Sequence, residues 1–133
     1  VLDTDVIISA LLFSGPPSQL VSAWHSSRLR PVVSAPILDG YIRVLAYPKF
    51  ELTPAEIRSV IEEEFLPFIE SVKAIPTTVA YVRDPDDAKF IACAAAAGVR
   101  WLVSRDDDLL SLRRIQSVEI VSITEFLCLL KAE

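Results

Sequence analysis

Short apolar runs alternate with stretches of helical spacing along this chain. Val1 to Thr4 is an apolar run that turns polar at Asp3-Thr4-Asp5, and it reads as a buried strand whose end carries acids. Val6 to Phe13 predicts a short buried helix, stopped by Ser14-Gly15-Pro16-Pro17. Leu20, Val21 and Trp24 give Ser18 to Ser27 the spacing of an amphipathic helix. Arg30 to Ser34 predicts a second strand, and Ser34 caps a helix from Ala35 to Ala46 with Pro36 in its first turn. Thr53-Pro54-Ala55-Glu56 carries a capping box and opens a helix through Ile57, Val60, Ile61 and Phe65, broken at Pro67.

Ser71 to Ile75 predicts a third strand, followed by irregular chain from Pro76. An Ala-rich helix begins at Asp86 or Asp87 and ends at Gly98. Arg100 to Ser104 is the fourth predicted strand, Leu109 to Leu112 a helical turn and Val118 to Val121 the fifth strand. Thr124 is expected to cap a last helix to about Lys131. Strands alternating with helices predict an α/β fold, a parallel sheet covered on both faces. In such sheets sites lie beyond the carboxyl ends of the strands, where Asp3 and Asp106 both fall.

Composition narrows the picture. A chain of 133 residues is one domain of common size, so residues 1–133 are read as a single domain. Methionine is absent and the chain opens inside a strand-like run, so a few residues are expected to precede Val1. Hydrophobic residues make up 52%, a surplus that points to a buried self-association surface. The net charge of −5 excludes nucleic-acid binding through one broad basic face; such contact has to be local or metal-mediated. Cys93 and Cys128 lack metal or redox spacing and read as core residues of a reduced, cytoplasmic protein. No run approaches the ~18 apolar residues of a membrane span.

Six of the nine aspartates lie at the two ends of one stretch: Asp84, Asp86 and Asp87, then Asp106, Asp107 and Asp108. A helix followed by a strand brings these ends to one sheet edge. Close carboxylates repel unless a cation compensates, and the cation that suits oxygen ligands is Mg2+ or Mn2+. Two such ions support phosphodiester cleavage. Asp also caps helices and fills turns, which alone accounts for either cluster. Other chemistries lack parts: His25 stands beside Trp24 with no second ligand nearby, and the glycines Gly15, Gly40 and Gly98 form no phosphate loop. Glu62, Glu63 and Glu64 fan around a helix and read as a solvated face.

V-L-D-T-D, P-I-L-D-G-Y-I-R-V-L-A-Y-P-K-F, R-D-P-D-D-A-K-F-I-A and L-V-S-R-D-D-D-L-L together resemble the PIN-domain family, especially its toxins of toxin–antitoxin pairs. The resemblance implies a three-layer α/β/α sandwich with a five-stranded parallel sheet of order 3-2-1-4-5. It also implies a metal-dependent endoribonuclease on single-stranded RNA, an antitoxin partner and a homodimer. Asp3, Asp87 and Asp106 match the family's metal-binding acids, with Asp108 as an accessory. Asp84 and Asp86 are expected to shape the loop and cap the helix. Ser9 sits where the family keeps a small hydroxyl, and Asp5 where it usually has asparagine.

One departure concerns the glutamate the family carries in its third helix, whose place is taken by Gly40 after Asp39. Glycine within a helix costs about 1 kcal/mol against alanine. Three readings stand open: Gly40 admits another backbone; Asp39 substitutes, although it points about 100° away; or the metal site is weakened. The last motivates an alternative in which the fold binds protein or RNA without catalysis. A second alternative is a phosphatase of the haloacid-dehalogenase type, because Asp3-Thr4-Asp5 resembles that family's D-x-D, with Asp3 as nucleophile. Arg43, Lys89 and Arg105 are candidates for holding RNA phosphates, with Arg113 and Arg114 behind them; no aromatic platform is evident.

Overall fold

The computed structural model describes residues 1–73 and 87–131. Asp84 and Asp86, and Ala74 and Ile75 of the third predicted strand, lie outside the described residues.

The first helix, α1 (Thr4–Leu12), starts directly behind the opening segment and buries Val6, Ile7 and Ile8. A turn with Gly15 at φ 105°, a conformation open to glycine, leads into α2 (Ser18–His25). Strand β1 (Val32–Val33) and helix α3 (Ala35–Leu45) follow, with Pro36 in the first turn of α3. Helix α4 (Pro54–Glu64) has the predicted reciprocal cap: Thr53 Oγ1 accepts from the Glu56 N–H at 3.1 Å, and Glu56 Oε1 from the Thr53 N–H at 2.9 Å. A 3-10 turn at Leu66–Phe68 contains Pro67 and leads to β2 (Glu70–Ser71). Helix α5 (Ala88–Ala97) ends on Gly98 at φ 67°, then β3 (Trp101–Val103), the short α6 (Asp107–Leu110), β4 (Arg114–Ile115), β5 (Val118–Val121) and α7 (Ile123–Lys131) complete the chain.

Two local expectations are corrected. The cap of α7 is Ser122 rather than Thr124: its Oγ accepts from the Glu125 N–H at 3.1 Å while Glu125 Oε1 accepts from the Ser122 N–H at 3.2 Å. The sequence pattern also misses β4, which pairs antiparallel with β5 through Ile115↔Val118 and Arg114↔Glu119. Its tight turn has Gln116 at φ 54° with no glycine or asparagine to announce it. The Arg114–Glu119 ion pair at 2.7 Å closes this ladder on its exposed face.

The fold is α/β; among the described residues the ladders do not show one five-stranded parallel sheet. Among the described residues there is a parallel pair, β1 with β2, and a mixed sheet in the order β3-β5-β4. Residues 1–3 run parallel to β3, joined by Asp3 N–H to Val103 O and Val103 N–H to Val1 O, both 2.9 Å. Among the described residues the seam between this segment and β1 carries no ladder. The Leu2 carbonyl, facing away from β3, accepts from the Tyr41 hydroxyl. The Val32 carbonyl, facing away from β2, accepts from the Cys93 thiol at 3.9 Å. Side chains from α3 and α5 thus satisfy groups that a continuous sheet would pair by backbone.

Helix α5 packs across β1, β3 and β5, spanning both sheets, while α1 packs on α2 and α3. Trp24, Phe65 and Tyr41 form an edge-to-face stack, with centroids 5.5 and 5.8 Å apart, and fix Tyr41 beneath the opening segment. No helix among the described residues is long and apolar enough to cross a membrane.

Candidate functional site

Two parallel neighbours, residues 1–3 and β3, end side by side, and their polar ends are built from aspartate. Asp3 is the N-cap of α1, its Oδ1 accepting from the Thr4 N–H at 2.7 Å. Because it follows a buried segment, its carboxylate is only 7% exposed. Ser104, one residue past β3 and fully buried, donates its hydroxyl to Asp3 Oδ2 at 2.7 Å. Ser104 Oγ itself accepts from the Asp106 N–H at 3.0 Å. The Asp106 carboxylate in turn caps α6 through the Asp108 N–H at 3.0 Å. One hydroxyl therefore links the two acid-bearing strand ends.

Asp87, at the start of α5 and half-buried, faces the same cleft of about 1080 Å³. Asp5, Ser9, Gly40, Arg43, Lys89 and Arg105 also line it, and Ser9 Oγ accepts from Arg105 Nη1 at 2.8 Å. Four carboxylates (Asp3, Asp5, Asp87, Asp106) and four cations (Arg43, Lys49, Lys89, Arg105) share this cleft. Among the described residues, cations therefore stand beside the acids, where a phosphate-bearing ligand could meet them. Burial raises the Asp3 carboxyl above the usual carboxylate range; Asp5 and Asp106 push the same way, while the Ser104 and Thr4 hydrogen bonds oppose them. Burial also holds the Tyr41 hydroxyl well above its ordinary value, with Asp3 adding to the effect.

Gly40 has a specific neighbour. A Cβ at this position would lie 2.9 Å from Lys89 Nζ, 3.9 Å from Lys89 Cε and 4.0 Å from Arg43 Nη2. The nearest groups are thus side-chain cations, not another backbone. The ammonium of Lys89 occupies the place where a side chain at residue 40 would begin, and it also lies 5.4 Å from the Phe90 ring centroid.

The donor chemistry fits a hard divalent cation in one mode. All donors are oxygens, and Mg2+ characteristically keeps several waters and takes one or two carboxylates plus substrate phosphates. Asp3 and Asp106, spaced by Ser104, suit that mode. A dedicated cage is not built: among the described residues no three His, Cys, Asp or Glu side chains gather as a ready-made metal cluster.

The predicted residues separate accordingly. Asp3, Asp87, Asp106, Asp5, Ser9, Arg43, Lys89 and Arg105 come together around the cleft. Asp108 is exposed and contributes its backbone N–H to Asp106; Asp39 is exposed, and neither is among the residues lining the cleft. Ser104 was legible only as the end of a strand; its two-residue spacing from Asp106 was the available signal. Three aromatic residues, Phe13, Tyr47 and Phe50, also line this cleft; they are distant in sequence and meet where α1 packs on α3.

Comparison with known proteins gives one family match. A family model described as PIN domain matches residues 1–108. No curated protein matches the chain.

Proposed function

The chain belongs to the PIN-domain family, and from that premise we propose that it is a metal-dependent endoribonuclease cleaving single-stranded RNA, the toxin of a toxin–antitoxin pair. PIN domains are generally nucleases, and the observation that supports the finer reading is the Asp3–Ser104–Asp106 linkage at the floor of an open cleft. Asp3, Asp87 and Asp106 would hold Mg2+ or Mn2+, with Asp108 supporting Asp106 from its backbone. Bound there, the ion supplies Lewis acidity toward a phosphodiester. Arg43, Lys89 and Arg105 hold RNA phosphates and set the strand across the acids. Ser104 keeps Asp3 and Asp106 at fixed spacing, and Ser9 keeps Arg105 turned into the cleft.

An antitoxin or a second copy of the chain needs an apolar face. The groove of about 430 Å³ between α3 and α4, lined by Leu38, Ile42, Ile57 and Leu66, supports that part of the proposal. Family membership leaves the haloacid-dehalogenase alternative without support.

The direct test is Mn2+-dependent cleavage of single-stranded RNA by wild type and Asp87→Asn. Loss of cleavage in the variant is expected; undiminished cleavage overturns the ligand assignment. A second reading, a fold that binds RNA or protein without catalysis, is favoured by Lys89 standing at Gly40, where the family usually carries a glutamate. Calorimetric titration separates the two: Mn2+ binding together with RNA cleavage supports the enzyme, and no Mn2+ binding supports the binding module.

A further inference from the structure

Among the described residues, five large hydrophobic side chains are exposed: Phe13, Ile42, Tyr47, Leu66 and Leu129. The two aromatic ones, Phe13 at 56% and Tyr47 at 45% exposure, both line the acid-bearing cleft. The aliphatic three do not. Phe13 ends α1, and Tyr47 precedes a 3-10 turn at Pro48–Phe50 that follows α3. The Phe50 ring lies against Phe13 at 6.4 Å between centroids, tilted by 56°. Lys49 Nζ lies 5.1 Å from the Phe50 centroid, and Arg43 lines the same cleft one helical turn before Tyr47.

Asp3 and Phe13 stand at opposite ends of α1, so acids and aromatics are about 15 Å apart along the helix, a reach of a few nucleotides. Exposed rings interleaved with cations are what unpaired bases and their phosphates recognise, by stacking and by charge.

We propose that Phe13, Tyr47 and Phe50, with Arg43 and Lys49, form a base-stacking subsite that holds an unpaired nucleobase of single-stranded RNA upstream or downstream of the acids. This rests on the nuclease reading of the same cleft and adds to it where, and by what contact, the strand is gripped. Stacking is indifferent to base identity, so the subsite confers preference for unpaired over duplex RNA rather than for a sequence.

The test is fluorescence anisotropy with a short labelled oligoadenylate and its abasic counterpart, in Ca2+ buffer, with cleavage followed on the same samples by electrophoresis. Phe13→Ala and Tyr47→Ala are expected to weaken oligoadenylate binding by roughly five- to a hundredfold each and to leave abasic binding within about twofold. Both side chains are largely exposed, so the variants should stay folded, with at most a small fall in Tm for Phe13→Ala from its lost contact with Phe50, and Phe13→Trp should retain affinity. Equal losses for the two oligonucleotides, or no loss for either, overturn the proposal. So does a change confined to self-association in sedimentation, which would make the rings a protein-docking surface. The nuclease reading is judged separately, by Mn2+-dependent cleavage with the Phe13 and Tyr47 rings intact.

Discussion

Replacing Gly40 with glutamate would install a carboxylate where the family usually has one, in space now held by the Lys89 ammonium. The position is mid-helix in α3, so relief of the glycine penalty contributes about 0.5–0.8 kcal/mol. The obstacle, 2.9 Å from the new Cβ, is the far end of a flexible side chain, which swings aside at little cost. Once displaced, the ammonium can pair with the new carboxylate, which adds up to about 1 kcal/mol for a partly solvated pair. The sum is a gain of about 1 kcal/mol for metal-free protein, or a melting temperature higher by roughly 3–6 °C. Scanning calorimetry in chelator measures it, and Gly40→Ala, with only the helix contribution of about 0.8–1 kcal/mol, should gain nearly as much. Mn2+ titration of Gly40→Glu should show tighter binding than wild type, since an oxygen ligand is added and a cation withdrawn. A fall of several degrees in both variants would refute the reasoning: it would mean that Lys89 cannot leave, and that its ammonium is a structural counter-ion of the acids.

Three further outcomes are expected. Tyr41→Phe leaves the buried Leu2 carbonyl without its donor and should cost about 1–3 kcal/mol, read from the urea midpoint at unchanged slope; a loss under about 0.5 kcal/mol would show that the seam zips to β1 instead. Ser104→Ala removes one hydrogen bond to a carboxylate and one from a backbone amide, for about 2–3 kcal/mol, and should weaken Mn2+ binding in calorimetry; unchanged metal affinity would show that Ser104 does not space the acids. Burial first, with Asp5 and Asp106 behind it, raises Asp3's folded value, so the proton is held more tightly in the fold. That contribution is complete below the ordinary carboxylate range and is lost as pH rises through the raised value. Asp3→Asn should therefore gain on wild type in metal-free urea denaturation as pH climbs toward neutrality, and a gap that widens toward acid would contradict it.

Much of the fold was legible because punctuation coincided with periodicity. Thr53 and Glu56 announced α4, Gly98 ended α5, and the run before Asp3 announced a buried segment. What escaped lacked a local signal. The β4–β5 turn uses Gln116 at positive φ where glycine or asparagine is the usual cue. The side-chain bonds that Tyr41 and Cys93 make to strand carbonyls reach partners 39 and 61 residues away. At the site, acid positions were readable from their places after strands. The occupant of Gly40's empty space was not, since Lys89 is a neighbour only in three dimensions. Asp39 adjoins Gly40 in sequence, but the helix turns it outward to an exposed position.

The bond from Ser104 to both acid-bearing strand ends has a consequence for how the molecule can be watched. Asp3 and Ser104 are 101 residues apart in sequence, so their meeting exists only when both segments are folded together. Loss of that tertiary contact would part Asp3 from Asp106. A bound Mn2+ ion would therefore serve as a spectroscopic reporter of global unfolding, its release tracking the cooperative transition rather than fraying at the cleft's rim.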